Sequence, residues 1–188
     1  RNQAGDYDFV QMLNALSEDP ERTARMADEL AALFAQGRRV AVISDRVELM
    51  RALHADMVRR FPAKNLFHYA SDTKAQKREA VDSEVHDGIF ACYGLFGLGT
   101  DITYLDTIFL ATGRSTIEQP VGRLRALCTF AERQDLLVVD WVDCFELFEN
   151  QYHRSRTKVY AKKAFIMAEP KHIEATGTNP KRTKTTPV

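Results

Sequence analysis

The sequence predicts an α/β fold in three layers: one central parallel sheet of about five or six strands with helices on both faces. Three observations predict it. Compact apolar runs of the kind that parallel sheets bury on both faces recur along the chain. Stretches of helical period stand between them. Strict alternation of the two kinds implies crossover connections within a single sheet. At 188 residues the chain is one ordinary globular unit with room for a real core.

The elements follow in order. After an irregular acidic start, Asp19-Pro20 reads as an N-cap with proline at the first helical position. Met26, Ala27, Leu30, Ala31, Leu33 and Phe34 then share one helical face, and Gly37 sits where the helix should end. Arg38 to Ser44 is a strand, followed by a helix marked by Val47, Met50, Leu53, Met57 and Val58 and stopped by Pro62. A short strand at Leu66 to Ala70, a polar helix around Thr73 to Val85 and a strand at Gly88 to Tyr93 come next. Strands at Asp106 to Thr112 and Asp135 to Trp141 complete the sheet, each followed by a helix, Ser115 to Leu127 and Val142 to Arg156. Residues 1–168 form the folded unit. From Glu169 onward Pro, Thr and Lys replace apolar residues, so 169–188 reads as a basic, disordered tail.

Composition excludes several classes. No apolar run approaches the roughly 18 residues of a membrane span, and the first six residues are not a signal peptide. Cys92, Cys128 and Cys144 are odd in number and lack a C-x-x-C pair, which argues against a disulfide framework and a zinc site. No metal centre is expected, since His54, His68, His86, His153 and His172 share no ligand spacing. A reducing, intracellular setting follows. The formal net charge is zero, but it is a cancellation: from Asn150 onward nine basic residues face two acidic ones, leaving −7 on the body against +7 on the end. Such asymmetry suits a basic arm on an acidic body, or simply a solvated tail.

Two segments carry candidate chemistry. Gly94-Leu-Phe-Gly97-Leu-Gly99-Thr-Asp101 follows a strand, where open parallel sheets hold their ligands. It serves as a tight turn or lets backbone approach a ligand while Asp101 points at it. Ser115 and Glu118 form an S-x-x-E capping box, so a helix should start at Ser115. Gln119, Gly122 and Arg123 then share a face, which suits a grip on phosphate oxygens as well as an ordinary polar surface. No phosphate loop of the G-K-[ST] kind occurs.

In this order the segments resemble a known family. Ala91 to Ile102, then Leu105 to Thr112, then Gln119-x-x-Gly122-Arg123, 18 residues after Asp101, resemble motifs V and VI of superfamily 2 helicases. Val40 to Arg46 stands where motif IV belongs, and Val138 to Tyr160 resembles the last strand and helix of the same lobe. The likeness spans about Asp6 to Ile166 and leans towards helicases of phages, large DNA viruses and the DNA-repair branch. It implies the second, C-terminal RecA-like lobe of an ATP-driven motor on DNA or RNA. In that family ATP with Mg²⁺ lies between two lobes, with the phosphate loop and acidic motif on the first. The partner implied is therefore an N-terminal RecA-like lobe, this chain alone should not hydrolyse ATP, and a start without Met fits an excised fragment.

By the same resemblance Gln119, Arg123 and Arg125 would act in catalysis, and Gly99, Asp101, Gln119, Gly122 and Arg123 would meet the nucleotide. Ser44, Arg46, Cys92 and Tyr93 would line the nucleic-acid channel. Three residues depart from the family pattern: Ala126 occupies the second arginine's place while Arg125 comes one position early, Cys92 replaces a usual Thr, and Leu98 a frequent Glu. They open a second expectation, a catalytically degenerate lobe that binds nucleic acid or protein. An unrelated α/β nucleotide-binding enzyme would need a phosphate site of its own.

Overall fold

The computed structural model describes residues 8–69, 84–93, 104–126 and 135–173, with backbone only for 123–126. The glycine-rich segment Gly94 to Asp101, the expected helix from Thr73 as far as residue 83, Cys128 and residues 174–188 lie outside the described residues.

The first element departs from the irregular start read above. Asp8 accepts a hydrogen bond from the Gln11 amide (3.0 Å) and caps a helix, α1, over Phe9–Glu18. Phe9, Met12, Leu13 and Leu16 recur at helical spacing, and Leu13 is buried. Asp19 then ends α1 and caps α2, Pro20–Ala35, accepting from the amides of Glu21 (2.9 Å) and Arg22 (3.1 Å), with Pro20 inside the first turn. Gly37, at φ 77°, takes the left-handed conformation that closes the helix.

Five strands form one parallel sheet: β1 Val40–Ser44, β2 Leu66–Tyr69, β3 Gly88–Cys92, β4 Thr107–Leu110 and β5 Leu137–Asp140, in the spatial order β2-β3-β1-β4-β5. Every pairing is parallel, with Val40 beside Gly88 on one side and Thr107 on the other. β1, the central strand, is buried throughout. Its Val40 and Val42 face α2 and α3 (Val47–Arg60), where Met26, Leu30, Phe34, Met50, Leu53, Met57, Phe90 and Phe109 form one core. Ala41 and Ile43 face the other layer with Ile89, Ile108, Leu110, Ile117, Val121, Val159 and Tyr160. Helices on both faces make three layers, as expected for buried strands with apolar residues on both sides.

Two helices differ from their sequence-based bounds. The helix expected from Ser115, α4, begins at Glu118 and runs to Ala126, with the Val121 amide bonded to the Ile117 carbonyl (3.2 Å). Pro120 explains the shift. A start at Ser115 would bury Pro120 beyond the first turn, where its ring clashes and its missing N–H is needed. With Glu118 first, Pro120 falls among positions that need no amide donor. The helix therefore starts three residues after Ser115.

The last helix starts later and runs further than Val142 to Arg156. α5 spans Glu146–Gln151, a π-turn takes over at Tyr152–Arg156, and α6 continues over Thr157–Lys162. Asp143 is engaged in an ion pair with Arg22 at 2.6 Å, outside the helix. No described helix is long and apolar enough to cross a membrane.

Candidate functional site

The chain leaves β1 towards β2 on one side and leaves β4 towards β5 on the other, so the connections diverge between β1 and β4 while all strands stay parallel. In open parallel sheets the crevice beyond such a divergence is where ligands bind. Three segments meet there: Ser44-Asp45-Arg46 after β1, Cys92-Tyr93 at the end of β3, and Ala111 to Arg114 after β4. The four residues expected to line a nucleic-acid channel fall on this one edge, but not in equivalent settings.

Ser44 is fully buried; its hydroxyl accepts from the Arg46 amide (3.0 Å) and lies 3.4 Å from the Thr112 hydroxyl. Tyr93 is buried too, its hydroxyl donating to the Thr112 carbonyl (3.1 Å). Burial pushes its phenol well above the ordinary range, so it stays a neutral donor. These two side chains shape the edge from below rather than present a surface. Cys92 and Arg46 are half-buried. Burial, and then the nearby Asp45 charge, raise the Cys92 thiol, which keeps it a neutral, weak donor. Among the described residues the Arg46 guanidinium makes only long contacts, 3.4 Å to the Asp45 carbonyl and 3.5 Å to the Val10 carbonyl. Its Nε is buried and has no partner among the described residues.

Two buried arginines pin the loop after β4. Arg156, 2% exposed, donates through Nε to the Arg114 carbonyl (2.8 Å), through Nη2 to the Thr112 carbonyl (3.2 Å), and through Nη1 to Asp140. Tyr160 donates to the other Asp140 oxygen at 2.6 Å. Burial nonetheless lifts the Asp140 carboxyl above its ordinary range, against the pull of Arg156 and the Tyr160 hydroxyl. Arg22 binds both oxygens of Asp143 (2.6 and 2.9 Å) and donates to the Ala111 carbonyl (2.8 Å). Gly113 lies against the Phe148 ring so closely that a Cβ would overlap it. The loop is thereby held through its carbonyls from α2 and from the π-turn.

α4 leaves this loop. Gln119 is exposed, Gly122 half-buried, and Arg123 follows one turn after Gln119, so the three share a helix face. A Cβ on Gly122 would approach the Lys163 ammonium to 3.3 Å. The backbone is helical through Ala126, which leaves Arg125 about 100° round the axis from the Ala126 direction. Among the described residues no three His, Cys, Asp or Glu side chains are grouped to hold a metal ion. Gly99 and Asp101 lie outside the described residues.

Solved structures with this arrangement are known. The chain superposes on the crystal structure of T4 UvsW with a TM-score of 0.62 at 17% identity, over 86% of this chain and 36% of that one. The C-terminal part of the Fun30 ATPase domain superposes at 0.56 and 8% identity, over 71% of this chain and 44% of that one. The fold is RecA-like. At these identities the likeness establishes the fold, and the chain spans less than half the length of either structure. No protein-family model and no curated protein matches it.

The RecA-like fold also brings together residues that no sequence pattern singles out. Arg22, Asp45, Arg114, Asp140 and Arg156 look like scattered surface charges in sequence. Arg22 and Asp143 are 121 residues apart, and no local pattern pairs them.

Proposed function

We propose that the chain is the second RecA-like lobe of an ATP-dependent superfamily 2 helicase or translocase. One observation carries the reading. The helix bearing Gln119, Gly122 and Arg123 starts from the same sheet edge at which Arg46 and Cys92 stand, so one lobe offers a phosphate-gripping helix face beside a polar edge for a nucleic-acid backbone. The likeness to the Fun30 ATPase domain supports ATP as the nucleotide.

In this reading ATP and Mg²⁺ are held chiefly by an N-terminal lobe. Mg²⁺ supplies charge neutralisation at the phosphates. This lobe contributes Arg123 to the charge that develops in phosphoryl transfer, with Gln119 and Gly122 beside it on α4 and Gly99 and Asp101 from the preceding glycine-rich segment. Arg46 and Cys92 meet the backbone of DNA or RNA, with Ser44 and Tyr93 supporting them. The Nη donors of Arg46 make only long contacts among the described residues, so a phosphate oxygen can compete for them. The experiment is ATP turnover by this lobe joined to a nucleotide-binding lobe. Turnover that rises with added nucleic acid supports the reading, and turnover indifferent to it overturns the reading.

A prediction attaches to Arg46. Because it binds phosphate and not bases, Arg46→Ala should weaken binding evenly across sequences and lower the slope of log affinity against log salt by about one. Titrations with labelled oligonucleotides at several salt concentrations measure this, and an unchanged slope counts against the assignment.

The displaced Arg125 favours a second reading for one part of the site. Since α4 is regular through Ala126, the second arginine of the family pattern has no equivalent in direction. That supports an attenuated motor, or a lobe that binds nucleic acid or protein without supporting turnover. Ala126→Arg raising turnover in the two-lobe protein would mark the natural sequence as attenuated.

A further inference from the structure

Arg114 joins the polar edge to the approach to α4 through its side chain. Its guanidinium grips both oxygens of Asp45 (2.8 and 3.1 Å), the residue between Ser44 and Arg46, and lies over the Tyr93 ring at 4.9 Å. Its own carbonyl is held by the buried Arg156 at 2.8 Å. Three residues further on, Ile117 is anchored in the core, and α4 begins at Glu118.

The two halves of Arg114 differ in accessibility. Its backbone is clamped inside a buried network, whereas its side chain is 39% exposed and its partner Asp45 31% exposed. An ion pair at that exposure is weak enough to be exchanged for another partner. A phosphate arriving beside Arg46 would repel the Asp45 carboxylate and loosen its hold on the Arg114 guanidinium. The contacts of the Ala111 and Thr112 carbonyls with Arg22, Arg156 and Tyr93 are buried and shielded from such competition, while the Asp45 amide donates to the Thr112 hydroxyl at 3.2 Å in a part-buried setting.

We infer that Arg114 is a positioning residue that transmits nucleic-acid binding at the β1 edge to the start of α4, with its Asp45 pair as the exchangeable contact. The inference rests on the nucleic-acid part of the proposed function. Arg114 does not add affinity in this role. It changes how the segment from Ser115 to Gly122 responds when Arg46 and Cys92 are engaged.

Amide hydrogen exchange on this chain with and without an oligothymidylate tests it. In the natural sequence, amides between Ser115 and Gly122 are expected to change their exchange rates when the oligonucleotide binds. Arg114→Gln should bind it within threefold of the natural affinity, unfold at the same temperature, and lose that response at least fivefold. Asp45→Asn should lose it as well, and the double variant should be no worse than either single one. Should Arg114→Gln not fold, Asp45→Asn carries the test alone.

Failure takes distinguishable forms. If the natural chain binds no nucleic acid, the reading beneath falls, and the inference with it. If the chain binds but the amides do not respond, or respond equally in Arg114→Gln, the inference is overturned while the reading stands. A loss of affinity well beyond threefold in Arg114→Gln would make Arg114 a direct contact and overturn the positioning role.

Discussion

Replacing Arg123 by Ala should lower nucleic-acid-stimulated ATP turnover of the two-lobe protein by about 10³-fold or more, the scale at which arginine fingers act in small GTPases. The charge an arginine meets there is largest in the transition state, so turnover should fall much further than the apparent affinity for ATP. Arg123 lies one helical turn after Gln119 on α4, where the buried residues among those described include Pro120 and Val121, with Ile117 just before the helix. The fold should therefore survive, with an unfolding temperature close to that of the natural protein. Arg125→Ala should cost less, because its direction on a regular helix differs from that of the family's second arginine. Steady-state turnover with saturating nucleic acid measures both, and an Arg123→Ala variant with natural turnover sinks the assignment.

The second large effect is on stability. Arg156→Ala should destabilise the chain by about 3–5 kcal/mol at neutral pH, the usual cost of leaving a buried charge without its partner. Three acceptors lose a donor at once: the Arg114 carbonyl, Asp140, which keeps Tyr160, and the Thr112 carbonyl, which keeps Tyr93. Arg156→Lys should restore little, since one ammonium cannot reach three acceptors that a planar fork reaches from different nitrogens.

The loss should depend on pH, with a definite sign. Burial already raises Asp140 above its ordinary value of 3.8, and removing Arg156 takes away the charge that opposes the rise. A carboxyl whose folded pKa lies above its unfolded one binds its proton more tightly in the folded state. Stability is then fully present below the unfolded value and is lost as pH rises through the folded one. The variant should recover part of its deficit between neutral pH and the ordinary carboxylate range. Urea unfolding at pH 7 and pH 5 measures it. A deficit below about 1 kcal/mol, within the range of an exposed ion pair, or one that grows on acidification, contradicts this account of Arg156.

How much of this was legible in sequence varies by element. The strand at Val40 to Ser44 could be read because an interior strand buried on both faces leaves an unbroken apolar run, whatever its neighbours. α2 was legible from Asp19-Pro20, a signal complete within four residues. α1 was missed although Phe9, Met12, Leu13 and Leu16 carry its period, because the acidic residues before it read as irregular chain. At α4 two local signals competed, the capping pattern at Ser115 and the constraint from Pro120, and steric exclusion overrode the optional hydrogen bond. The π-turn at Tyr152–Arg156 had no sequence signal, and its Arg156 is fixed by contacts to residues 16 to 44 positions away.

The sequence by itself determined the α/β class, the parallel run of strands, the separation of charge between body and end, and the spacing of Gln119, Gly122 and Arg123. All of these rest on near-neighbour chemistry. Only the tertiary structure decided the order β2-β3-β1-β4-β5, and with it which strand ends meet at the candidate site. It also decided that Ser44 and Tyr93 lie beneath the edge while Arg46 and Cys92 are half-buried at it, and that Arg22 and Arg156 hold the loop leading to α4. The reason is physical: burial and ion pairing depend on distances in space, and folding brings together residues such as Arg22 and Asp143 that the chain holds 121 positions apart.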